Sequence, residues 1–230
     1  MAAPHVGPHP SALLAQALRR DAARPFVTYY DLASGGRVEL SVATFHNWTS
    51  KTVGLLRDEL DVEAGDRLDI VLPAHWAGLV LAMAAWTVGA QVSTAPLPDA
   101  AVSFRAWDEQ PTGAGSLVVV NTLPLGGPAG ARAPSGSVDY GREVLGYPDV
   151  CGPAEPSDDP ALAALMDSAS AEPGTRRLVV AQRLDDATLR ESLLVPLRCG
   201  GSSVLVQPGP GEVEHDRVAA IGAQERAQRG

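Results

Sequence analysis

Hydrophobic and polar positions follow two different periods in residues 65–96, and together they predict consecutive elements. Residues 68–72 form a short apolar run after a Gly-Asp turn, which favours a buried strand that Pro73 ends. In residues 76–86 the large apolar side chains recur at helical spacing, and most of the other positions are alanine. We therefore expect a helix that is apolar on nearly every side and buried.

The helix is followed by a stop signal and a second extended stretch. Gly89 suits the left-handed residue that ends many helices. Residues 92–95 then return to an extended pattern. A strand, a helix and a strand with short connections predict a βαβ unit with a right-handed crossover.

A membrane-spanning segment is the alternative interpretation of this stretch. Residues 70–90 carry no formal charge, and 21 residues are enough to cross a bilayer. The segment is richer in alanine than in leucine, and it is interrupted by Pro73, His75, Gly78 and Gly89. These features favour a buried βαβ unit and no membrane partner.

The rest of the chain repeats the alternation of strand and helix patterns. Strands are expected at 26–30, 37–40, 116–121, 178–181 and 202–207, and helices at 11–21, 41–60, 158–166 and 185–199. Ser11 is the expected cap of the first helix, Ser41 or Thr44 that of the second, and Asp185 or Asp186 that of the last. The buried face of the second helix is predicted to be Phe45, Trp48, Thr52, Leu55 and Leu56, with Lys51, Arg57, Asp58 and Glu59 mainly on its solvated side. The fold class predicted is a three-layer α/β domain with a mixed, largely parallel sheet.

Composition divides the chain into a domain and two tails. Residues 1–10 contain three prolines and predict a disordered tail. The domain covers residues 11–207 and includes a Gly- and Pro-rich, loop-rich part at 111–156. Residues 208–230 predict a charged tail that contains a frayed helix within residues 212–230.

Charge and cysteine content limit the partners and the compartment. The net charge of −9 argues against nucleic-acid partners and anionic membrane surfaces. Cys151 and Cys199 form no disulfide framework and have no metal-ligand spacing. The N-terminal residues lack the basic and apolar regions of a secretory signal. We expect a cytoplasmic protein with free thiols.

Three scaffold motifs resemble the N-terminal part of the adenylate-forming superfamily. They are W-T-S-K-T-V-G-L-L-R-D-E-L at 48–60, G-D-R-L-D-I-V-L-P at 65–73 and A-A-W-T-V-G-A-Q-V-S-T-A-P-L at 84–97. A fourth, L-L-V-P-L-R-C-G-G-S-S-V-L-V at 193–206, is similar to the helix and strand after that superfamily's phosphate loop. The superfamily includes acyl-CoA synthetases, peptide-synthetase adenylation domains and luciferases. The chain also resembles a group of short, uncharacterised actinobacterial proteins related to it.

The chain departs from this superfamily where ATP would bind. The resemblance implies a Ser/Thr/Gly-rich loop ending in Pro-Lys-Gly, whose backbone N–H groups and lysine hold phosphates. Residues 166–177 occupy the comparable place but contain one glycine and no lysine. Asp167 and Glu172 would repel phosphate, and Arg176 and Arg177 are the nearby cations. The adenine motif, ribose-binding aspartate, hinge and C-terminal-domain lysine have no counterpart in the sequence.

No residue is assigned a catalytic, cofactor-binding or metal-binding role, because each candidate has a simpler interpretation. His5 and His9 are too few ligands for a metal site. His46, His75 and His215 stand alone, Asp185-Asp186 fits a helix cap, and Cys199 follows a helix C-terminus, where the dipole disfavours a thiolate. The turns G-A-G-S at 113–116 and G-G-S-S at 200–203 lack the nucleophile-elbow pattern.

Two hypotheses for function follow. In the first, the chain is a truncated, non-catalytic ligase-like protein that binds a protein partner, a second copy of itself or a small carboxylate, with no cofactor. Surfaces that the missing half would cover then form an exposed apolar patch. In the second, the chain is a component of an active acyl-CoA synthetase-type ligase, and a partner chain supplies the motifs that bind ATP and Mg²⁺.

Overall fold

The computed structural model describes residues 8–107, 115–156, 159–209 and 214–229, and it has the predicted α/β class. Its strands are β1 (Pro25–Asp31), β2 (Gly36–Ser41), β3 (Arg67–Val71), β4 (Gln91–Ser93), β5 (Val102–Ala106), β6 (Ser116–Val120), β7 (Val138–Asp139), β8 (Arg176–Val180), β9 (Ser202–Gln207) and β10 (Gln228–Arg229). Its α-helices are α1 (Pro10–Arg20), α2 (Val42–Gly54), α3 (Trp76–Thr87), α4 (Tyr140–Glu143), α5 (Pro160–Ser168), α6 (Asp186–Leu189), α7 (Val195–Cys199) and α8 (His215–Gln224).

Short segments of other helical types complete these elements. A π-helical segment, Leu55–Glu59, prolongs α2, and another, Arg190–Leu194, joins α6 to α7. Two 3₁₀ turns, Gly130–Arg132 and Val144–Gly146, lie in the Gly- and Pro-rich part of the chain. The long helices predicted from residue 41 to 60 and from residue 185 to 199 are confirmed as continuous helical paths of mixed type.

The strands form two sheets, where a single sheet was expected. Sheet A has the order β10-β8-β9-β1-β2, and all its pairs are parallel except the β1–β2 hairpin. Sheet B has the order β4-β3-β5-β6-β7 and is parallel throughout. The predicted βαβ unit is confirmed, because β3 and β4 are parallel neighbours joined by α3. The hand of its crossover stays a prediction.

Helix α3 explains why two sheets are needed. All twelve of its residues are buried, as the apolar pattern predicted. It contacts β3 and β4 of sheet B and also α2, which in turn packs on β1 and β2 of sheet A. A helix that is apolar on every side can bury all of its surface only inside such a stack. Helices therefore lie between the two sheets.

The helix boundaries follow their caps. Ser41 Oγ accepts a hydrogen bond from Thr44 N at 3.1 Å, so Ser41 begins α2 as predicted. The prediction that Ser11 caps α1 is wrong: His9 is the cap, with Pro10 at the first helical position. Proline fits there because its backbone has no N–H to leave unpaired. Gly89 has φ +81°, the left-handed conformation predicted for the end of α3.

Helix α8 packs against the outer face of sheet A. Val218 and Ile221 of α8 are buried against Leu178, Val204 and Val206. Part of the segment expected as a charged tail is therefore packed structure. The predicted domain limits at residues 11 and 207 stay predictions, and residues 1–7 of the expected N-terminal tail lie outside the described residues.

The structure also bears on the membrane alternative. Across the described ranges, no helix has both the length and the apolar character needed to cross a bilayer. Helix α3, the centre of the uncharged stretch, has 12 residues.

Candidate functional site

The carboxyl ends of the parallel strands in the two sheets converge, and this region is the candidate functional site. Pro73, just after β3, forms an antiparallel bridge with Arg183, just after β8. Beside it, Leu184 N donates to Leu72 O at 3.0 Å. Ligands of open α/β sheets bind beyond the carboxyl ends of the strands. We call this region the carboxyl edge.

His75 lies at the carboxyl edge, and its hydrogen bonds hold the backbone together. Its Nδ1 accepts a hydrogen bond from Ala77 N at 3.2 Å and so caps α3, while Nε2 donates to Leu123 O at 3.1 Å. The ring also meets Tyr29 edge-on, with 4.8 Å between ring centroids. Complete burial lowers the pKa of His75 to about 4. The imidazole is therefore neutral at pH 7, and both nitrogens are occupied.

The loop that follows β6, residues 121–128, is fastened by polar side chains. Asn121 Nδ2 donates to Gly126 O at 2.9 Å, and Asn121 Oδ1 accepts from Leu123 N at 2.9 Å. The indole of Trp76 donates to Pro124 O at 2.8 Å. The sequence places Asn121 at the end of a strand, but nothing local in it indicates these partners.

An aromatic cluster of Trp76, Trp48 and Tyr140 packs next to this loop, which Trp76 contacts through Pro124. The ring centroid of Trp76 is 5.3 Å from that of Trp48, which lies 6.4 Å from that of Tyr140. The Tyr140 hydroxyl and Thr52 Oγ1 form a buried hydrogen bond of 2.8 Å, and burial raises the pKa of Tyr140. Aromatic packing of this kind stabilises the region but provides no acid, base or nucleophile.

Apolar side chains are exposed on two segments that follow neighbouring strands of sheet B. Leu123 and Leu125 lie on the loop after β6, and Leu145 and Val150 lie on the segment after β7. These strands are parallel neighbours, so both segments leave the same edge of sheet B. Leu125 is 80% exposed and Val150 70% exposed. We call these four residues the apolar surface.

The predicted solvent exposure of Lys51 is wrong, because Lys51 fastens the second of these segments. Its Nζ donates to Tyr147 O at 2.5 Å and forms an ion pair with Asp149 at 3.0 Å. Of the other charged positions expected on the solvated side, Asp58 and Glu59 are exposed, and Arg57 is half-buried with an ion pair to Glu155 at 3.5 Å.

The cations in the place comparable to a phosphate loop are paired with carboxylates. Arg176 Nη2 donates to Glu225 Oε2 at 2.6 Å and to Thr28 Oγ1 at 3.0 Å. Arg177 Nε donates to Glu191 Oε2 at 2.9 Å. Burial alone would raise the pKa of Glu225, but hydrogen bonds from neighbouring side chains and nearby positive charge lower it.

Acidic side chains in the same stretch face solvent. Asp167, near the end of α5, and Glu172, in the turn before β8, are both exposed. With the adjoining arginines already neutralised, the stretch presents negative charge, which opposes phosphate binding.

A buried ion pair that the sequence analysis missed links two strands of sheet B. Arg105 donates to Asp69 through both terminal nitrogens, at 2.6 and 2.9 Å. Asp69 also accepts from Leu97 N at 2.6 Å. Both side chains are almost completely buried, so the pair orders the sheet and is not open to a ligand.

The remaining sequence candidates lie in separate elements. His46 is half-buried on α2, and His215 is exposed at the start of α8. Asp185 caps α6 by accepting from Thr188 N at 2.7 Å, while Asp186 accepts from Thr94 Oγ1 at 2.9 Å. Cys199 ends α7 as a half-buried thiol. His5 and the start of G-A-G-S lie outside the described residues. Within the described ranges, no three His, Cys, Asp or Glu residues are grouped to hold a metal ion.

Solved structures identify the class of fold. The structural match to an acyl-CoA synthetase from Brucella canis covers 99% of this chain and 47% of the synthetase chain, with a TM-score of 0.72 and 15% identity. An acetoacetyl-CoA synthetase from Streptomyces lividans matches 95% of this chain and 41% of its own, with a TM-score of 0.70 and 17% identity. The fold is therefore shared with acyl-CoA synthetases, and the chain spans less than half the length of these two.

Sequence comparison then identifies the family. No protein-family model matches the chain. A TIGR03089 family protein from Mycobacterium tuberculosis (strain ATCC 25618 / H37Rv) is 34% identical over 229 residues, covering 90% of this chain and 93% of that protein. The chain belongs to the TIGR03089 family. The expected resemblance to acyl-CoA synthetases is confirmed at the level of the fold.

Proposed function

We propose that this protein is a non-catalytic member of the acyl-CoA synthetase-like fold that acts by binding another polypeptide through the apolar surface. The observation that carries the proposal is the exposure of Leu123, Leu125, Leu145 and Val150 on segments that buried polar and aromatic contacts hold in place. An apolar side chain on a fixed support costs little conformational entropy on binding. Exposed apolar patches commonly mark interfaces.

The charge distribution supports a role without adenylation. A triphosphate needs free cations and clustered N–H donors. Arg176 and Arg177 are held by Glu225 and Glu191, and freeing either arginine would leave a carboxylate without its partner. The neutral, fully engaged His75 offers no general base at the carboxyl edge.

A small carboxylate is a second ligand class for the binding role. Arg183 is an exposed cation at the carboxyl edge, and the described residues give it no ion pair. A carboxylate could form a charge-assisted hydrogen bond there. We expect a cytoplasmic location and no nucleic-acid or membrane partner, supported by the two free cysteines and the net charge of −9.

Leu125→Asp tests the polypeptide proposal. The substitution places a charge at the most exposed member of the apolar surface, and Ala163→Asp adds the same charge on an exposed position of α5. Light scattering measures self-association, and affinity capture from the native host followed by mass spectrometry identifies partners. We expect Leu125→Asp to abolish dimer or partner binding and Ala163→Asp to retain it. Equal binding by both variants, or a wild-type monomer with no specific partner, would contradict the proposal.

The alternative function is that of a component of an acyl-CoA synthetase-type ligase, with ATP and Mg²⁺ bound through motifs of a partner chain. The fold shared with acyl-CoA synthetases over 99% of this chain favours it. ATP–pyrophosphate exchange across a set of carboxylic acids, with a co-purified partner present, measures this activity. Exchange that requires both chains would support the alternative and exclude a non-catalytic role.

A further inference from the structure

Three arginines converge on a small cleft at the opposite end of sheet A from the carboxyl edge. Arg20 ends α1, Arg24 precedes β1, and Arg198 lies in the last turn of α7. The cleft has a volume of about 90 Å³, and Cys199 and Gly200 also line it. The cleft therefore lies at the amino ends of β1 and β9, away from the carboxyl edge. It adjoins the stretch 166–177, because Arg198 Nη1 donates to Met166 O and Gly174 N donates to Cys199 O.

The positive charge in the cleft is incompletely neutralised. In the described ranges none of the three arginines forms a salt bridge. The carboxylate that acts on Arg24 is that of Asp21, which accepts from the backbone N–H groups of Ala23 and Arg24, both at 3.2 Å. One carboxylate beside three guanidinium groups leaves a local positive charge on a protein whose net charge is −9.

The guanidinium groups are positioned but retain hydrogen-bond donors. Arg24 Nη1 donates to Gly201 O at 2.6 Å, and Arg198 Nη1 donates to Met166 O. A Cβ atom on Gly200 would lie 3.2 Å from Arg20 Nη1, so this guanidinium lies directly over the glycine. Each guanidinium carries five N–H donors, and fixed forks of this kind match the oxygens of phosphate.

The simpler explanation is that Arg20 and Arg198 only offset the negative ends of two helices. That interaction is favourable at helix C-termini. It does not explain Arg24, which lies outside any helix and whose charge is close enough to that of Arg20 for the two to repel. An anion in the cleft would relieve this repulsion and use the remaining donors.

We propose that the cleft between α1 and α7 binds a single phosphate-sized oxyanion, either free phosphate or the phosphate group of a small monoester that extends into solvent. The small volume excludes a larger group from the cleft itself. The site is independent of the proposed binding role of the apolar surface.

Cys199 provides a local reporter for this site. The wild-type protein is treated with iodoacetamide, with and without inorganic phosphate at constant ionic strength, and mass spectrometry follows alkylation of Cys199 and of the other free cysteine, Cys151. At phosphate about tenfold above its dissociation constant the cleft is occupied about 90% of the time, so alkylation of Cys199 should slow about tenfold. The rate at Cys151 should not change.

Matched variants assign the effect to the arginines. Arg20→Gln and Arg198→Gln should remove most of the protection, whereas Arg19→Gln, an exposed neighbour that does not line the cleft, should keep it. A repeat with glycerol 3-phosphate distinguishes the source: protection at lower concentration than with inorganic phosphate indicates a monoester, and equal or weaker protection indicates free phosphate. Unchanged alkylation of wild-type Cys199, equal slowing of Cys151, or full protection in both cleft variants would overturn the proposal.

Discussion

At the scale of single residues, His75 shows how burial determines the protonation state of a side chain. It directly precedes the helix predicted from residue 76, and its side chain caps the first turn of that helix. Its second partner, Leu123 O, is 48 residues away in the chain, so no local pattern indicates it. With both nitrogens engaged in the core, the imidazole holds α3 and the loop after β6 together.

The lowered pKa of His75 predicts a loss of stability in acid. Its pKa is 6.5 when unperturbed and about 4 in the folded protein. As pH falls below 6.5, His75 becomes protonated in the unfolded chain but stays neutral in the native state. The free energy of unfolding therefore decreases until pH reaches about 4. The difference corresponds to about 3 kcal/mol. Urea unfolding of wild type and His75→Asn at pH 7 and pH 4.5 measures it.

Asparagine is chosen because it can still cap the helix but cannot titrate. His75→Asn should be less stable than wild type at pH 7 yet lose less stability on acidification, while His46→Asn should behave like wild type. The same pH dependence in wild type and His75→Asn would show that His75 does not cause the loss.

The Asp69–Arg105 pair shows where prediction at the residue scale stops. Each residue alone interrupts an apolar strand and looks like a solvated position. Only the parallel pairing of β3 with β5 brings them together, because Val71 is the register partner of Arg105 and Asp69 that of Ser103. The two charges are 36 positions apart in the chain, so the local sequence around either residue does not indicate its partner.

At the scale of elements, the apolar helix α3 was predictable because its pattern is continuous and strong. Trp86 is 1% exposed and belongs to the main core. Trp86→Ala should lower the free energy of unfolding by about 3–5 kcal/mol, because it removes a large buried side chain and leaves a cavity. Trp48→Ala, at a half-buried ring, should cost less. Chemical denaturation measures both, and a near-wild-type stability of Trp86→Ala would contradict the central position of α3.

The contact between α2 and the segment after β7 gives a second prediction at this scale. Lys51→Ala removes the hydrogen bond to Tyr147 O and the ion pair with Asp149. We expect a loss of about 1 kcal/mol in the free energy of unfolding and faster amide exchange in residues 144–150. Arg67→Ala, which removes an exposed ion pair with Asp99, serves as the control. Unchanged exchange in residues 144–150 would show that Lys51 does not hold the segment.

Elements with weak or interrupted patterns escaped prediction. Strand β5 has the sequence V-S-F-R-A, in which a serine and an arginine replace apolar residues on one face. Strand β7 has two residues and exists only because β6 lies beside it. Helix α8 was predicted only as a frayed helix in a charged tail, because the apolar face against which Val218 and Ile221 pack is provided by sheet A. In each case a partner distant in sequence supplies what the local pattern lacks.

At the scale of the whole molecule, the sequence predicted the class and the parallel pairing but not the division into two sheets. The helical layer has apolar side chains on both sides, and one sheet packs against each side. Which strands belong to which sheet depends on their order in three dimensions, which the sequence pattern does not give. The same order brings the carboxyl ends of both sheets to one edge. Structural contacts of His75, Asn121 and Trp76 occupy that edge, and the two segments that carry the apolar surface start from it.

Neither the carboxyl edge nor residues 166–177 should bind ATP, and a thermal shift with millimolar Mg-ATP tests this expectation most directly. The Arg20→Gln, Arg198→Gln double variant is used so that the separate arginine cleft cannot contribute. A ligand at a hundredfold its dissociation constant would stabilise the fold by about 2.7 kcal/mol, a clear rise in the unfolding midpoint. We predict no rise. A rise in the double variant would show a nucleotide site outside the arginine cleft and would contradict the non-catalytic account.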